Sequence, residues 1–131
     1  MKIVLDTNVL VSGIFWKGIP YSILQSWVEG KFELVLSEKI FDEYSRTLAI
    51  ISKGKKDELI TKWLLLIAEN STFITIQKRF FLSADPDDNK FIECAIAGNA
   101  QFIVSGDSHL LDLNTILNTD VISPSTFIKK L

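Results

Sequence analysis

Apolar residues occur in two patterns along this chain: short unbroken runs, and longer stretches in which they recur every three or four residues. The unbroken runs predict parallel β-strands buried on both faces, because a half-exposed strand would alternate apolar with polar residues. Strand and helix patterns follow one another almost throughout, which is typical of an α/β domain with a mainly parallel sheet. Five strands are predicted, at Lys2–Asp6, Phe32–Leu36, Thr72–Ile76, Phe102–Val104 and Asp120–Ile122.

Residues that commonly begin or end helices divide the helical stretches. Ser37, Asp85 and Ser123 each stand where an N-cap is expected, and proline at a first helical position follows two of them. Segment 77–84 fits neither pattern and receives no predicted element. The predicted helices begin near Val9, Pro20, Glu38, Asp57, Pro86, Ser108 and Pro124.

Size and composition limit the classes of protein to consider. With 131 residues, of which 47% are hydrophobic, the chain is expected to form one domain over residues 1–131. A formal net charge of −2 argues against a strongly basic nucleic-acid-binding module, although an enzyme that neutralises its acids with cations remains compatible. The single cysteine, Cys94, cannot form an internal disulfide. Without a signal peptide or a membrane-length apolar stretch, we expect a cytoplasmic protein.

Two acids follow predicted strands directly. Asp6 ends the first strand, and Asp107 comes shortly after the fourth, with Ser105 between strand and acid. The carboxyl ends of parallel strands are where open α/β sheets bind ligands, so these side chains are expected to meet in one crevice. Asn8 adds a polar group near Asp6. Each aspartate could instead cap the helix that follows it.

Glu43 is a third candidate. It shares a mostly apolar helix face with Ile40, Thr47 and Ile50, and an inward-facing acid is costly unless it is paired or bound to a metal. A partly exposed position on the flank of the helix is the alternative interpretation.

The cluster of acids at residues 85–88 supplies a fourth candidate. Asp85 is best placed as an N-cap before Pro86, and Asp87 falls on the same line as Lys90, which indicates a solvated side chain. Asp88 continues the apolar stripe of the next helix, formed by Phe91, Ile92, Ala95 and Ile96. The helical face therefore favours Asp88, with Asp85 and Asp87 open as alternatives.

Four carboxylates at one sheet edge would repel each other strongly unless cations lay between them. Oxygen ligands alone suit Mg²⁺ or Mn²⁺, and Cys94 with the single histidine, His109, cannot build a usual zinc site. The number of ions, one or two, stays open. Arg46, one turn after Glu43, and Lys90, beside the start of the Asp88 helix, are candidates for contacts with phosphate groups.

In order and spacing, these residues resemble the PIN-domain family of metal-dependent ribonucleases, and most closely the VapC-type toxin components of toxin–antitoxin pairs. The matching segments are Leu5–Leu10, Glu43, Asp85–Asp88 with Cys94 and Ala95, and Val104–Asp107. The resemblance implies a three-layer α/β/α fold with a five-stranded parallel sheet. It also implies catalytic and metal-binding acids at Asp6, Glu43, Asp88 and Asp107, supported by Asn8 and Ser105.

The expected activity is hydrolysis of single-stranded RNA by metal-activated water, leaving 5′-phosphate and 3′-hydroxyl ends. Cleavage through the 2′-hydroxyl usually needs a general base such as histidine, and the sequence has only His109. A catalytically silent PIN-like module that binds RNA or protein is the alternative. An antitoxin partner follows from the resemblance alone. A homodimer is predicted from the many large apolar side chains, namely Trp16, Ile19, Tyr21, Trp27 and the helix around Trp63.

Overall fold

A six-stranded sheet forms the centre of the computed structural model, which describes residues 1–77 and 85–131. Its strands are β1 (Lys2–Leu5), β2 (Glu33–Leu36), β3 (Thr72–Phe73), β4 (Phe102–Val104), β5 (Thr115–Ile116) and β6 (Thr119–Ile122). Their order is β3-β2-β1-β4-β6-β5, and every neighbouring pair is parallel except β5 with β6. Segment 77–84, which the sequence left unassigned, lies almost wholly outside the described residues.

The sheet has one strand more than predicted. The additional strand, β5, contributes only two residues and pairs antiparallel with β6, so it has no apolar run from which it could be recognised. The predicted third strand, Thr72–Ile76, is shorter in the structure and ends at Phe73. The other four predictions agree with the observed strands to within one residue.

Seven helices connect these strands within the described residues. They are α1 (Thr7–Phe15), α2 (Ile19–Val28), α3 (Glu38–Ser52), α4 (Asp57–Asn70), α5 (Asn89–Ala97), α6 (Ser108–Leu111) and α7 (Pro124–Ile128). A 3₁₀ turn at Pro86–Asp88 leads into α5. The predicted caps are confirmed, because the side chains of Ser37, Asp85 and Ser123 each accept a backbone N–H of the turn that follows.

Helices cover the central strands. Helix α5 packs against β1, β2 and β4, while α1 packs against α2 and α3, and α2 also contacts α7. Residues Ile3–Leu5 and Leu34–Leu36 have no exposed surface, as expected for strands buried on both faces. The fold is thus the predicted three-layer α/β/α arrangement. Its neighbouring strands β1 and β4 direct their carboxyl ends to the same edge.

The large apolar side chains that suggested an interface fall into two groups. Trp27 and Trp63 belong to the hydrophobic core and are each 7% exposed, so counting them as surplus apolar surface was wrong. Trp16, Ile19 and Tyr21 do lie on the surface, with exposures of 58%, 42% and 37%. In the part of the chain that the structure describes, no helix combines the length and apolar character needed to cross a bilayer.

Candidate active site

Asp6 and Ser105 lie side by side where β1 and β4 end. The register pairs Leu5 with Val104, and the Asp6 N–H continues the ladder by donating to the Val104 carbonyl over 3.0 Å. The Ser105 hydroxyl donates to Asp6 Oδ2 over 2.7 Å, and both side chains are buried. Ser105 Oγ also accepts the Asp107 N–H at 2.9 Å, so one serine connects the two strand-end acids.

Glu43 reaches this edge from α3. The next residue, Tyr44, is fully buried and donates its hydroxyl to the Leu5 carbonyl over 2.6 Å, which fixes the helix to the end of β1. Glu43 is half-buried, and its Oε2 accepts a hydrogen bond from the Thr7 hydroxyl. Glu43 thus contacts the start of α1 while its side chain stays 23% exposed, between the two positions that the sequence left open. Ile50, placed on the same face by the sequence, is instead 73% exposed.

Lys90 supplies a positive charge to the same cluster. Its Nζ lies 2.6 Å from Glu43 Oε1 and also donates to the Asp87 carbonyl over 2.6 Å. The two charged side chains are only 15% and 23% exposed, so solvent screens the pair weakly. An ammonium group has three donors, and these contacts use two of them.

The acids at residues 85–88 separate as the helical face predicted. Asp88 is buried at 7% exposure, whereas Asp87 is exposed. Asp85 caps the turn by accepting the Asp87 N–H over 3.0 Å. The backbone thus turns Asp88, and not its two acidic neighbours, into the interior at the start of α5.

Burial and mutual repulsion raise the pKa of two of these carboxyls. Burial is the largest cause of the raised pKa of Asp6, to which the charges of Asp107 and Glu43 add, while the Ser105 hydrogen bond opposes the change. Burial also raises the pKa of Asp88 to about 7, with further contributions from the charge of Asp107 and a hydrogen bond to it. Such carboxyls are costly to ionise without a cation and are typical of functional sites.

The donor atoms suit a divalent cation. Carboxylate oxygens of Asp85 and Asp88 and a ring nitrogen of His109 lie within 4.8 Å of one another. Asp107 adjoins this group, since its Oδ1 accepts the His109 N–H at 2.8 Å and lies 3.7 Å from His109 Nδ1. Asp88 is buried, Asp85 and Asp107 are half-buried, and an oxygen-rich set of this kind, with one raised pKa, fits Mg²⁺ or Mn²⁺.

Some residues have other positions than the sequence suggested. Asn8 is exposed in the first turn of α1, and the adjacent Thr7 makes the contact with Glu43. Arg46, in contrast, is exposed one turn beyond Glu43, where the sequence placed it. Sequence reasoning considered His109 only in arguing against a zinc site and a histidine general base, and it did not find the ion pair of Lys90. The only features of the sequence that point to these two residues are the closeness of His109 to Asp107 and of Lys90 to Asp88.

Three comparisons relate this chain to known proteins. A family model described as PIN domain matches residues 2–109. The chain is 33% identical over 118 residues to an uncharacterized protein of Methanocaldococcus jannaschii, covering 86% of this chain and 75% of that protein. In a crystal structure of VapBC2 from Rickettsia felis bound to a promoter DNA fragment, one chain superposes with a TM-score of 0.59 at 19% identity, over 94% of this chain and 98% of that one. The protein therefore belongs to the PIN-domain family.

Proposed function

We propose that this protein is a metal-dependent endoribonuclease that hydrolyses single-stranded RNA. The observation that carries the proposal is the convergence of Asp6, Glu43, Asp88 and Asp107 at the carboxyl edge of the sheet, where two of them have raised pKa values. Membership of the PIN-domain family supports a nuclease. RNA as the substrate and the need for a metal are part of the proposal.

Asp6, Asp88 and Asp107 are the proposed principal metal ligands, because the charge of Asp107 raises the pKa of both Asp6 and Asp88, and the charge of Asp6 also raises the pKa of Asp88. A bound Mg²⁺ or Mn²⁺ would supply activated water and stabilise the charge that develops on the phosphate. Ser105 holds Asp6 and the Asp107 backbone in place. Glu43 completes the acidic set, and Lys90 holds its carboxylate while keeping one donor for an RNA phosphate.

A product analysis tests the proposal. We expect the purified protein to cut a 5′-labelled single-stranded RNA with Mn²⁺ or Mg²⁺, to lose activity with chelator, and to leave 5′-phosphate and 3′-hydroxyl ends. Asp6→Asn should abolish cleavage. Ends carrying 2′,3′-cyclic phosphate, or full activity in excess chelator, would contradict the mechanism. Binding of RNA without any cleavage would favour the alternative of a silent binding module.

We further propose a toxin role with a cognate antitoxin. The structural similarity to a chain of VapBC2 supports this assignment, although at 19% identity it establishes only the fold. A cytoplasmic location belongs to the same proposal. Growth arrest on expression of the wild-type chain, absent for Asp6→Asn, is the expected result. Normal growth with an active, soluble wild-type protein would count against a toxin.

A homodimer is the proposed assembly, now argued from a smaller surface than the sequence suggested. Trp16 follows α1 directly, Ile19 and Tyr21 lie in the first turn of α2, and all three remain exposed. Light scattering should give the dimer mass at micromolar concentration, and Trp16→Ser should shift the protein toward the monomer. A monomer mass for the wild-type chain would refute this assembly.

A further inference from the structure

A cavity of about 580 Å³ opens beside the acidic cluster. The start of α3, the chain from Phe73 to Ile76 and the outer side of α5 form its walls. Lys90 belongs both to this wall and to the candidate active site, because its Nζ contacts Glu43 over 2.6 Å. Lys90 thus borders both spaces.

Glu93 lines this cavity with an unusual carboxylate. The residue is 8% exposed, and within the described part of the chain its buried Oε2 has no hydrogen-bond partner. A buried carboxylate oxygen without a donor is costly, and nothing described in the acidic cluster uses it. This carboxylate oxygen is therefore unsatisfied within the described chain, and turning the side chain toward the cavity would present the carboxylate to a ligand that brings N–H donors.

Two phenyl rings, tilted against each other, give the cavity an apolar wall. Phe41 and Phe73 both line it, with ring centroids 5.7 Å apart and planes inclined by 58°. Phe73 is 46% exposed, although a phenyl ring is normally buried. Aromatic side chains of this kind stack unpaired bases of single-stranded RNA, while polar groups read the Watson–Crick edges.

We propose that this cavity binds the base of a nucleotide next to the cleaved bond and that Glu93 makes it selective for guanine. The proposal rests on RNA being the substrate. Guanine offers two adjacent donors, N1–H and the N2 amino group, to a carboxylate. Uracil has a single N–H, and a carboxylate would repel the two carbonyl oxygens that flank it. Adenine and cytosine place an acceptor nitrogen beside their amino group. Lys39 and Lys90 at the wall suit the attached phosphates.

Nucleotide binding without metal tests the subsite separately from cleavage. In chelator, GMP should bind the wild-type protein more tightly than UMP by on the order of tenfold, the value of one good pair of hydrogen bonds. Glu93→Gln should remove this preference. Glu38→Gln, which removes an exposed acid at the same cavity, should retain it. Equal affinity for all four nucleoside monophosphates, or an unchanged preference in Glu93→Gln, would overturn the proposal.

A second variant protects the test against a folding defect. Phe73→Leu should weaken all four nucleotides similarly and keep the order of preference, because it removes stacking and not the carboxylate. Cleavage of RNA without base preference would refute the guanine subsite but not the proposed nuclease activity. Selective binding of GMP without any cleavage would refute the nuclease activity but not the subsite. If N-acetylarginine amide displaces a fluorescent GMP at lower concentration than GMP itself, the cavity serves a protein partner and the proposal is wrong.

Discussion

The acidic cluster, formed by Asp6, Glu43, Asp88 and Asp107, has two unlike halves. On one side, Glu43 is paired within the chain, with Lys90 on one carboxylate oxygen and the Thr7 hydroxyl on the other, although its charge still adds to the raised pKa of Asp6. On the other side, Asp6, Asp88 and Asp107 face one another, and the pKa values of Asp6 and Asp88 are raised. In the first half, the Lys90 ammonium group takes the place that a metal ion would have beside Glu43. In the proposed mechanism the second half would therefore hold the metal, which favours one ion over two.

The largest effect is expected from Asp88→Asn. This change removes a buried charge from the half that lacks a resident cation, and loss of a metal ligand costs several kcal/mol, or on the order of a thousandfold in rate. Mn²⁺ binding, followed by calorimetry, should weaken in parallel with RNA cleavage. Asp87→Asn is the matched control, since Asp87 is exposed beside it. If Asp87→Asn is inactive and Asp88→Asn is not, the assignment from the helical face is wrong.

Lys90→Gln removes the resident cation and should make the two halves alike. Leaving Glu43 unpaired at 23% exposure should cost about 1–2 kcal/mol of unfolding free energy in the metal-free protein. Glu43→Gln in the same chain should recover part of that loss, and the pair can be measured as a double-mutant cycle. Mn²⁺ stoichiometry should rise above one per chain in Lys90→Gln.

An exposed lysine on α4 provides the control for that experiment. Lys62→Gln changes the net charge equally and should alter neither stability nor stoichiometry. If Lys90→Gln behaves like Lys62→Gln in both measurements, the ion pair with Glu43 does not balance the cluster, and the contrast between its halves is lost.

The pH dependence of stability should come from the repelling half. Asp88 has a pKa of about 7 in the fold but an ordinary one when unfolded, so between these values the folded chain holds a proton that the unfolded chain releases. Raising the pH from about 4 to about 7 should therefore lower the Tm of the metal-free protein. The slope should be shallower in Asp88→Asn, and Mn²⁺ should offset the loss above the pKa. A Tm that rises over this range in chelator would contradict the sign.

The contrast also explains how far the sequence could lead. Asp6 and Asp107 could be placed together because the carboxyl ends of parallel strands share an edge, and Asp88 because the stripe on its helix fixes which acid turns inward. The contact between Glu43 and Lys90 could not be predicted in this way. Lys90 and Glu43 are 47 residues apart on two helices, and their contact depends on how α3 and α5 pack. Helix α1 begins at Thr7 and not near Val9, where it was predicted to begin. For this reason Thr7, instead of Asn8, contacts Glu43.

The smallest effect is expected from His109→Ala. His109 is half-exposed at the rim of the repelling half, where its ring nitrogen completes a possible ligand set with Asp85 and Asp88. Losing one peripheral ligand should weaken Mn²⁺ binding by less than about tenfold and leave cleavage intact at saturating metal. The products should keep their 5′-phosphate ends, because the proposed hydrolysis does not use histidine as a base. Asp85→Asn, which retains its capping acceptor, should behave similarly. Complete loss of cleavage in His109→Ala at saturating Mn²⁺ would mean that the imidazole takes part in the reaction itself, and the carboxylate-only mechanism would have to be abandoned.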